Sequence, residues 1–279
     1  MAKKEKAIQY LYSPINNPVL NYQCYVMSVS EKMMYFFLSF VIGGLASQVF
    51  YGGLFKEDGE ATTATWISNG CFFVVVGLIA AIVAMPAIRN HLLQKRNNVL
   101  KKQFMDLLAG LATSLSAGNT MTDAFINARP DLLNQYSEDE YIVKEVTEIL
   151  LGMENGVTLE VMLNDFGQRS NNEDIINFAN VISNCYRMGG NFKEVVRNTR
   201  EIISDKMAVA DEIETKLSSN KMQHNVMTLM PIGLVAVLKT QSSTFSENLA
   251  SPTGVLITTV AIGLFVAAYF WGQKIINIS

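Results

Sequence analysis

The chain has 279 residues, of which 49% are hydrophobic and only 17% are charged, and its mean hydropathy is positive. This composition is unusual for a soluble globular protein and indicates membrane-embedded segments. Residues 99–223 contain 19 acidic and 12 basic residues, whereas the remainder contains 6 acidic and 10 basic residues. An acidic centre argues against nucleic acid as its partner and favours a basic protein surface.

Two uncharged runs of membrane-spanning length follow a broken amino-terminal segment, residues 1–32. Residues 33–55 and 66–88 contain 23 residues each, enough for a helix to cross about 30 Å of hydrocarbon. An acidic loop separates them, and Trp66 stands at the predicted membrane interface. Basic residues precede the first run (Lys3, Lys4 and Lys6 among them) and follow the second. The positive-inside rule therefore places the amino terminus and the central region in the cytoplasm.

Two more apolar runs and a short tail make up residues 224–279. Residues 226–238 are few for a full crossing, which requires Lys239 to extend its ammonium group to the far interface. Residues 254–272 are long enough, with Trp271 at the interface and Lys274 beyond it. We therefore predict four transmembrane helices in two pairs (33–88 and 224–279), with both termini cytoplasmic. No Asp, Glu, Arg or His interrupts the four runs, which argues against a transporter.

Small residues recur at four-residue spacing inside these runs. The pairs are Gly43 and Ser47, Gly77 and Ala81, Ala80 and Ala84, and Gly263 and Ala267. Small residues let helix backbones approach closely, so the pairs predict a compact bundle or a helix-mediated oligomer. The alternative is chance, because Gly and Ala are common in membrane helices.

The central region, residues 89–223, has apolar residues at helical spacing throughout and no alternating strand pattern. We predict an all-α protein whose cytoplasmic domain is a six-helix type of bundle. Ser137 followed by Glu140 is a capping-box pattern, and Asn172 before two acidic residues predicts another helix start. The last helix is predicted to run from Phe192 to residue 238, with residues 218–220 as the place for a bend.

Three glycine turns recur in this region. Gly118, Gly156 and the pair Gly189–Gly190 each follow an amphipathic helix and precede another, at intervals of 38 and 34 residues. Glycine adopts the left-handed conformation of a tight turn at no steric cost. The intervals are close to the period of helical-hairpin repeats, which favours a repeated hairpin. The alternative is that any helical bundle needs glycine turns.

No motif for catalysis is present. The chain has no GxxxxGK[ST] phosphate loop, no HExxH zinc motif and no GxSxG nucleophile motif. Three cysteines and two histidines are too few and too scattered for a disulfide framework or a Cys/His metal site. We therefore predict a non-enzyme without cofactor or metal, although a carboxylate metal site assembled across helices is left open.

The order of two spans, a helical domain and two further spans resembles the type II secretion system F family. The resemblance rests on FMDLLAGLATSLSAGNTMTDAF (residues 104–125) and FANVISNCYRMGGNFKEVV (residues 178–196), and it extends from about residue 99 to the carboxyl end. The chain is most similar to the short, single-domain platform proteins of tight-adherence (Flp-type) pilus machines. Longer relatives carry two copies of the cytoplasmic domain, so the resemblance implies a second platform subunit, identical or different.

The resemblance implies a scaffold in the inner or cytoplasmic membrane, embedded in lipid, at the base of a pilus or a type II secretion-like machine. Its cytoplasmic domain is expected to contact a separate hexameric ATPase and to pass the ATPase's motion to pilin-like subunits. The candidate contact surface consists of Arg187, Lys193, Arg197 and Arg200, for which ordinary solvated charge is the alternative. Rival functions are a membrane-anchored adaptor or signalling protein, an enzyme with an unrecognised carboxylate site, and, with least support, a transport component.

Overall fold

The computed structural model describes residues 9–54, 56–57 and 60–276, which divide into two compact units. The first, here called the helical unit, comprises the chain up to Met27 together with Arg89–Ala210. The second comprises Ser28–Ile88 and Asp211–Ser279. The lysines at residues 3, 4 and 6 and the side chain of residue 274, which bear on the predicted orientation, lie outside the described parts.

The prediction of an all-α protein is confirmed, because the described elements are helices apart from two short hairpins. The elements are β1 (Tyr10–Tyr12), β2 (Pro18–Leu20), α1 (Val29–Tyr51), β3 (Lys56–Glu57), β4 (Glu60–Ala61), α2 (Thr63–Ser116), α3 (Met121–Gln135), α4 (Tyr141–Glu154), α5 (Leu159–Ser170), α6 (Glu173–Met188), α7 (Phe192–Gln241), α8 (Ser243–Ala250) and α9 (Pro252–Ile276). Both hairpins are antiparallel, and in the first Leu11 lies opposite Val19.

Three described helices are long and apolar enough to cross a membrane. They are α1, α2 and the Pro252–Gly272 part of α9. A fourth candidate arises if α7 and α8, which meet at a bend of 116°, form one broken span. The described residues therefore give three to four candidate spans, a range that includes the predicted four.

Three helix boundaries differ from those predicted. Helix α2 is continuous over 54 residues because no Gly or Pro lies between Pro86 and Gly110 to end it. Helix α7 continues through residues 218–220, since Ser and Asn lower helix propensity without breaking a helix. Helix α4 begins at Tyr141, later than the capping box predicts, and the Glu140 carboxylate instead accepts a hydrogen bond from Gln103 Nε2 at 2.6 Å.

The core of the helical unit lies between α3, α4, α5, α6 and the adjoining parts of α2 and α7. The inward face of α2 is fully buried and consists of Leu100, Phe104, Leu107, Leu108, Leu111 and Leu115. The Phe104 ring packs edge-on against Phe178 of α6 at 5.4 Å and against Phe166 of α5 at 6.3 Å between centroids. Each aromatic contact of this kind contributes about 0.5–1.5 kcal/mol beyond its buried area.

In the second unit, small residues bring α1 and α2 close together. A Cβ atom added at Gly43 would lie 2.5 Å from Ala80 Cβ, and one added at Gly77 would lie 2.8 Å from the Phe40 carbonyl oxygen. The backbones approach as closely as the small-residue pairs predict. Gly263 of α9, in contrast, has nothing within 4 Å of its added Cβ among the described residues.

Candidate partner-binding surface of the helical unit

The three predicted glycine turns lie at one end of the helical unit, here called the glycine end. Gly118, Gly156 and Gly189 have φ angles of 89°, 80° and 73° at the turns that follow α2, α4 and α6. These angles are left-handed and favour glycine. The three turns are neighbours. Tyr186, beside the third turn, has a side-chain hydrogen bond with Thr122 after the first turn, and it interacts electrostatically with Glu160 after the second. Burial, with a contribution from Glu160, raises the pKa of Tyr186, and the bond to Thr122 opposes the rise.

Gly190 completes the third turn in a different way. A Cβ atom added there would lie 2.5 Å from Cys185 Sγ, so the turn requires close approach at this position. The turn is also closed by aromatic packing, with the Tyr186 and Phe192 rings 4.8 Å apart.

The four basic residues singled out from the sequence are all exposed at this end of the unit. Arg187 lies in the last turn of α6, while Lys193, Arg197 and Arg200 follow one another along the first turns of α7. Arg197 approaches Glu201 at 3.9 Å, an exposed pair that contributes only about 0.3–0.5 kcal/mol. The other three form no ion pair with any residue in the described ranges. Their charges are therefore available to a partner.

The structure contains a buried polar network that sequence reasoning missed. Arg169 of α5 donates two hydrogen bonds to Glu145 of α4, at 2.9 and 2.7 Å, and a third to Asp165 at 2.7 Å. The side chains of Arg169 and Glu145 are each only 4% exposed. Burial raises the pKa of Glu145, and the guanidinium opposes this rise; burial alone would lower the pKa of Arg169, but Glu145 and Asp165 raise it.

Residues 13–22, which include the turn and second strand of the first hairpin, are hydrogen-bonded to this network and to Glu148. The Tyr22 hydroxyl donates to Glu145 at 3.0 Å, and Arg169 donates to the Leu20 carbonyl at 3.0 Å. Ser13 and Asn17 donate to Glu148 at 2.6 and 3.2 Å. Residues 13–22 of the predicted amino-terminal segment (1–32) are thus packed on the helical unit. The sequence does carry a signal for this contact. Glu145 and Arg169 have opposite charges, and each lies on the inward-facing side of its amphipathic helix.

A second ionic cluster joins three helices. Asp174 of α6 pairs with Lys101 of α2 at 3.1 Å and with Lys206 of α7 at 2.5 Å. Burial would raise the pKa of Asp174, but the two lysines outweigh it and hold that pKa below its usual value. Asp174 is buried and Lys206 is about half exposed, and the two pairs join α6 to both α2 and α7. Among the described residues, no group of His, Cys, Asp and Glu side chains is arranged to hold a metal ion.

The predicted interface residues belong to the second unit. Trp66 is in the first turn of α2 and Trp271 is near the end of α9, and their side chains are 71% and 75% exposed. Lys239 Nζ donates to the carbonyl oxygens of Val49 at 3.1 Å and Gln48 at 3.4 Å, in the last turn of α1. The carboxyl end of a helix carries partial negative charge, which an ammonium group complements.

Residues 107–240 match the family model described as Type II secretion system (T2SS), protein F. The chain carries a type II secretion system F domain. The F domain begins within α2, includes α3 to α6 and extends almost to the end of α7. The F domain together with the apolar helices fits a membrane protein of the secretion-system class. No curated protein and no solved structure gives a significant match to the chain.

Proposed function

We propose that the protein is the membrane platform of a tight-adherence pilus or a related type II secretion-like machine. In this function it couples a separate cytoplasmic ATPase to the assembly or export of pilin-like subunits. The observation that carries the proposal is the F-domain match over the helical unit of a chain with several membrane-spanning candidates. A scaffold of this kind needs docking surfaces rather than catalytic groups, which fits the absence of a nucleotide-binding motif from the sequence.

The proposed topology has four spans, with the helical unit and both termini in the cytoplasm. The positive-inside rule supports it, since basic residues flank the paired runs on one side and the loop between the first two spans is acidic. The contact between Lys239 and the carboxyl end of α1 supports a crossing by the third run. Lys239 lies near the end of α7 and binds carbonyl oxygens at the end of α1. Its long side chain can therefore hold the ammonium group at the far membrane surface.

The ATPase is proposed to dock at the glycine end through Arg187, Lys193, Arg197 and Arg200. Three features support this surface: exposure, few internal ion pairs, and the neighbouring Met188, which is 80% exposed and adds an apolar contact. Basic side chains beside an exposed apolar residue suit an acidic protein surface, because charge steers the encounter and apolar contact slows dissociation. A second platform subunit is proposed to complete the machine, because the longer relatives that the chain resembles carry two copies of the cytoplasmic domain.

The test is co-purification of the full chain, in detergent or nanodiscs, with a secretion-type ATPase encoded nearby in the same genome. The triple variant Arg187→Glu/Lys193→Glu/Arg200→Glu is expected to lose most of the bound ATPase. The control is Lys144→Glu, which reverses an exposed charge at the amino end of α4, away from the glycine end. Equal ATPase recovery with both variants would exclude this surface.

Two further measurements test the wider proposal. Isolation of the wild-type chain without any such ATPase, under conditions that preserve the machine, would contradict the platform function. Steady nucleotide hydrolysis by the purified chain alone would contradict its assignment as a non-enzyme.

A further inference from the structure

A polar groove runs along the surface of the helical unit between α5 and α6. It has a volume of about 460 Å³. Its walls are formed by Glu160, Val161, Asn164, Asn180, Ser183, Asn184 and Arg187. Three of these seven lining residues are asparagines, whereas the domain around the groove is rich in charge.

The amide groups of this groove have no local structural function. Asn164, Asn180 and Asn184 are exposed and form no hydrogen bond to another residue in the described part of the chain. By contrast, Asn172 and Asn191 each bind a backbone N–H at a helix start. Asparagine is less favourable than Lys, Glu or Gln inside a helix. Three asparagines line this groove although asparagine lowers helix propensity, and none of them gains a hydrogen bond within the described part of the chain. Residues that oppose local propensity without a compensating contact occur at functional sites.

The chemistry of these amides matches a peptide backbone. A primary amide both donates and accepts, so it can bind the N–H and the C=O of one residue of an extended chain, which point to the same side. Asn180 and Asn184 lie one helical turn apart, a rise of about 6 Å. Successive residues on the same side of an extended chain are about 6.6–6.8 Å apart. The two amides can therefore meet the main-chain groups of alternate residues, while Asn164 lies on the opposite wall.

The groove also restricts the side chains that accompany such a backbone. Val161 is an exposed apolar residue in the wall and favours a small apolar side chain. Arg187 closes one end, is exposed and has no ion-pair partner among the described residues. A carboxylate at that end of the bound segment would complement it.

We propose that the α5–α6 groove binds an extended peptide segment of a partner protein, chiefly through the main chain of that segment, with a carboxylate beside Arg187. Recognition of this kind uses the unpaired backbone groups of an extended chain for affinity and adjacent side-chain sites for specificity. The proposal concerns the geometry of the groove and stands whether or not the partner is an ATPase.

The experiment uses the full chain in nanodiscs and a random library of twelve-residue peptides displayed on phage. Enriched peptides are then synthesised, and their Kd values are measured by fluorescence anisotropy. Asn180→Ala/Asn184→Ala is expected to weaken binding at least tenfold and Arg187→Gln severalfold. The matched control is Asn198→Ala, an exposed asparagine on α7 outside the groove, which is expected to leave the Kd unchanged. Alanine favours the helix at both altered positions, so folding is retained, and circular dichroism checks it.

A second readout separates main-chain recognition from ordinary side-chain contact. N-methylation of the peptide at alternate positions is expected to abolish binding, whereas methylation at the positions between them is tolerated. Failure of the library to yield any binder would overturn the proposal. So would binders that are insensitive to the double substitution, or whose N-methylation pattern shows no alternation.

Discussion

Removing the guanidinium of Arg169 is expected to be among the most damaging single changes in the helical unit. In Arg169→Leu, the Glu145 carboxylate remains almost fully buried and loses both of its short bonds to the guanidinium. Leaving one partner of a buried ion pair uncompensated costs about 3–5 kcal/mol. That is a large part of the total stability of a typical domain, which is about 5–15 kcal/mol.

The double variant Glu145→Leu/Arg169→Leu distinguishes the cost of an unpaired charge from the value of the pair itself. It removes both charges, so the penalty left is that of the Tyr22 hydroxyl and the Leu20 carbonyl, together with the partly exposed Asp165 carboxylate, which all lose their partners. Each unpaired group costs about 1–3 kcal/mol, less if water reaches it. We expect the double variant to be no less stable than the single variant, and more stable if water reaches those groups.

Hydrogen exchange followed by mass spectrometry on the full chain measures these differences at the helices concerned. A loss of 3–5 kcal/mol corresponds to exchange about 10²–10⁴ times faster at the most protected amides of α4 and α5. The control Arg197→Leu removes an exposed pair and is expected to change protection by less than about 0.5 kcal/mol. A cost below about 1 kcal/mol for Arg169→Leu, or a double variant much less stable than the single one, would refute the reasoning.

Three further changes test other parts of the structure. The pKa of Asp174 lies below its ordinary value, so its ionised form stabilises the fold above about pH 3.9 and this contribution is lost as acid protonates it. Asp174→Asn should therefore lower stability near neutral pH and flatten the decline below about pH 4, as followed by circular dichroism; an unchanged acid profile would contradict this. Gly118→Ala should cost about 1–2 kcal/mol in chemical unfolding, because the site has φ of 89°, and a neutral result would argue against that turn. Gly43→Leu should destabilise the second unit by about 1–3 kcal/mol by forcing α1 and α2 apart, measured by thermal unfolding in detergent. Gly263→Leu should be nearly neutral, since no described residue lies within 4 Å of a Cβ added there.

Much of the helical unit could be predicted because it follows from periodicity and turn chemistry. The inward face of α2 from Leu100 to Leu115 is the buried face that the spacing of leucines predicts. The helix start at Asn172 also follows the prediction, since its side chain accepts a hydrogen bond from the Asp174 N–H. These features depend on residues a few positions apart, and the sequence displays such relations directly.

What could not be predicted depends on contacts between distant residues. Ser13 and Glu148 are 135 positions apart, and neither is unusual in its local sequence. The α5–α6 groove likewise arises from Asn164 and Asn180, which face one another only once the two helices pack. The capping box at Ser137 failed for a related reason, because Gln103 on another helix binds the Glu140 carboxylate that would otherwise complete it.

The attachment of the first hairpin sets an order of events during synthesis. Tyr22 and Ser13 leave the ribosome early, whereas Glu145 and Glu148 follow 123 and 135 positions later. At about 5–20 residues per second, that interval is roughly 6–27 seconds. During it the apolar helix α1 and the apolar first part of α2 are made. The earliest described segment of the chain is therefore among the last to reach its native partners.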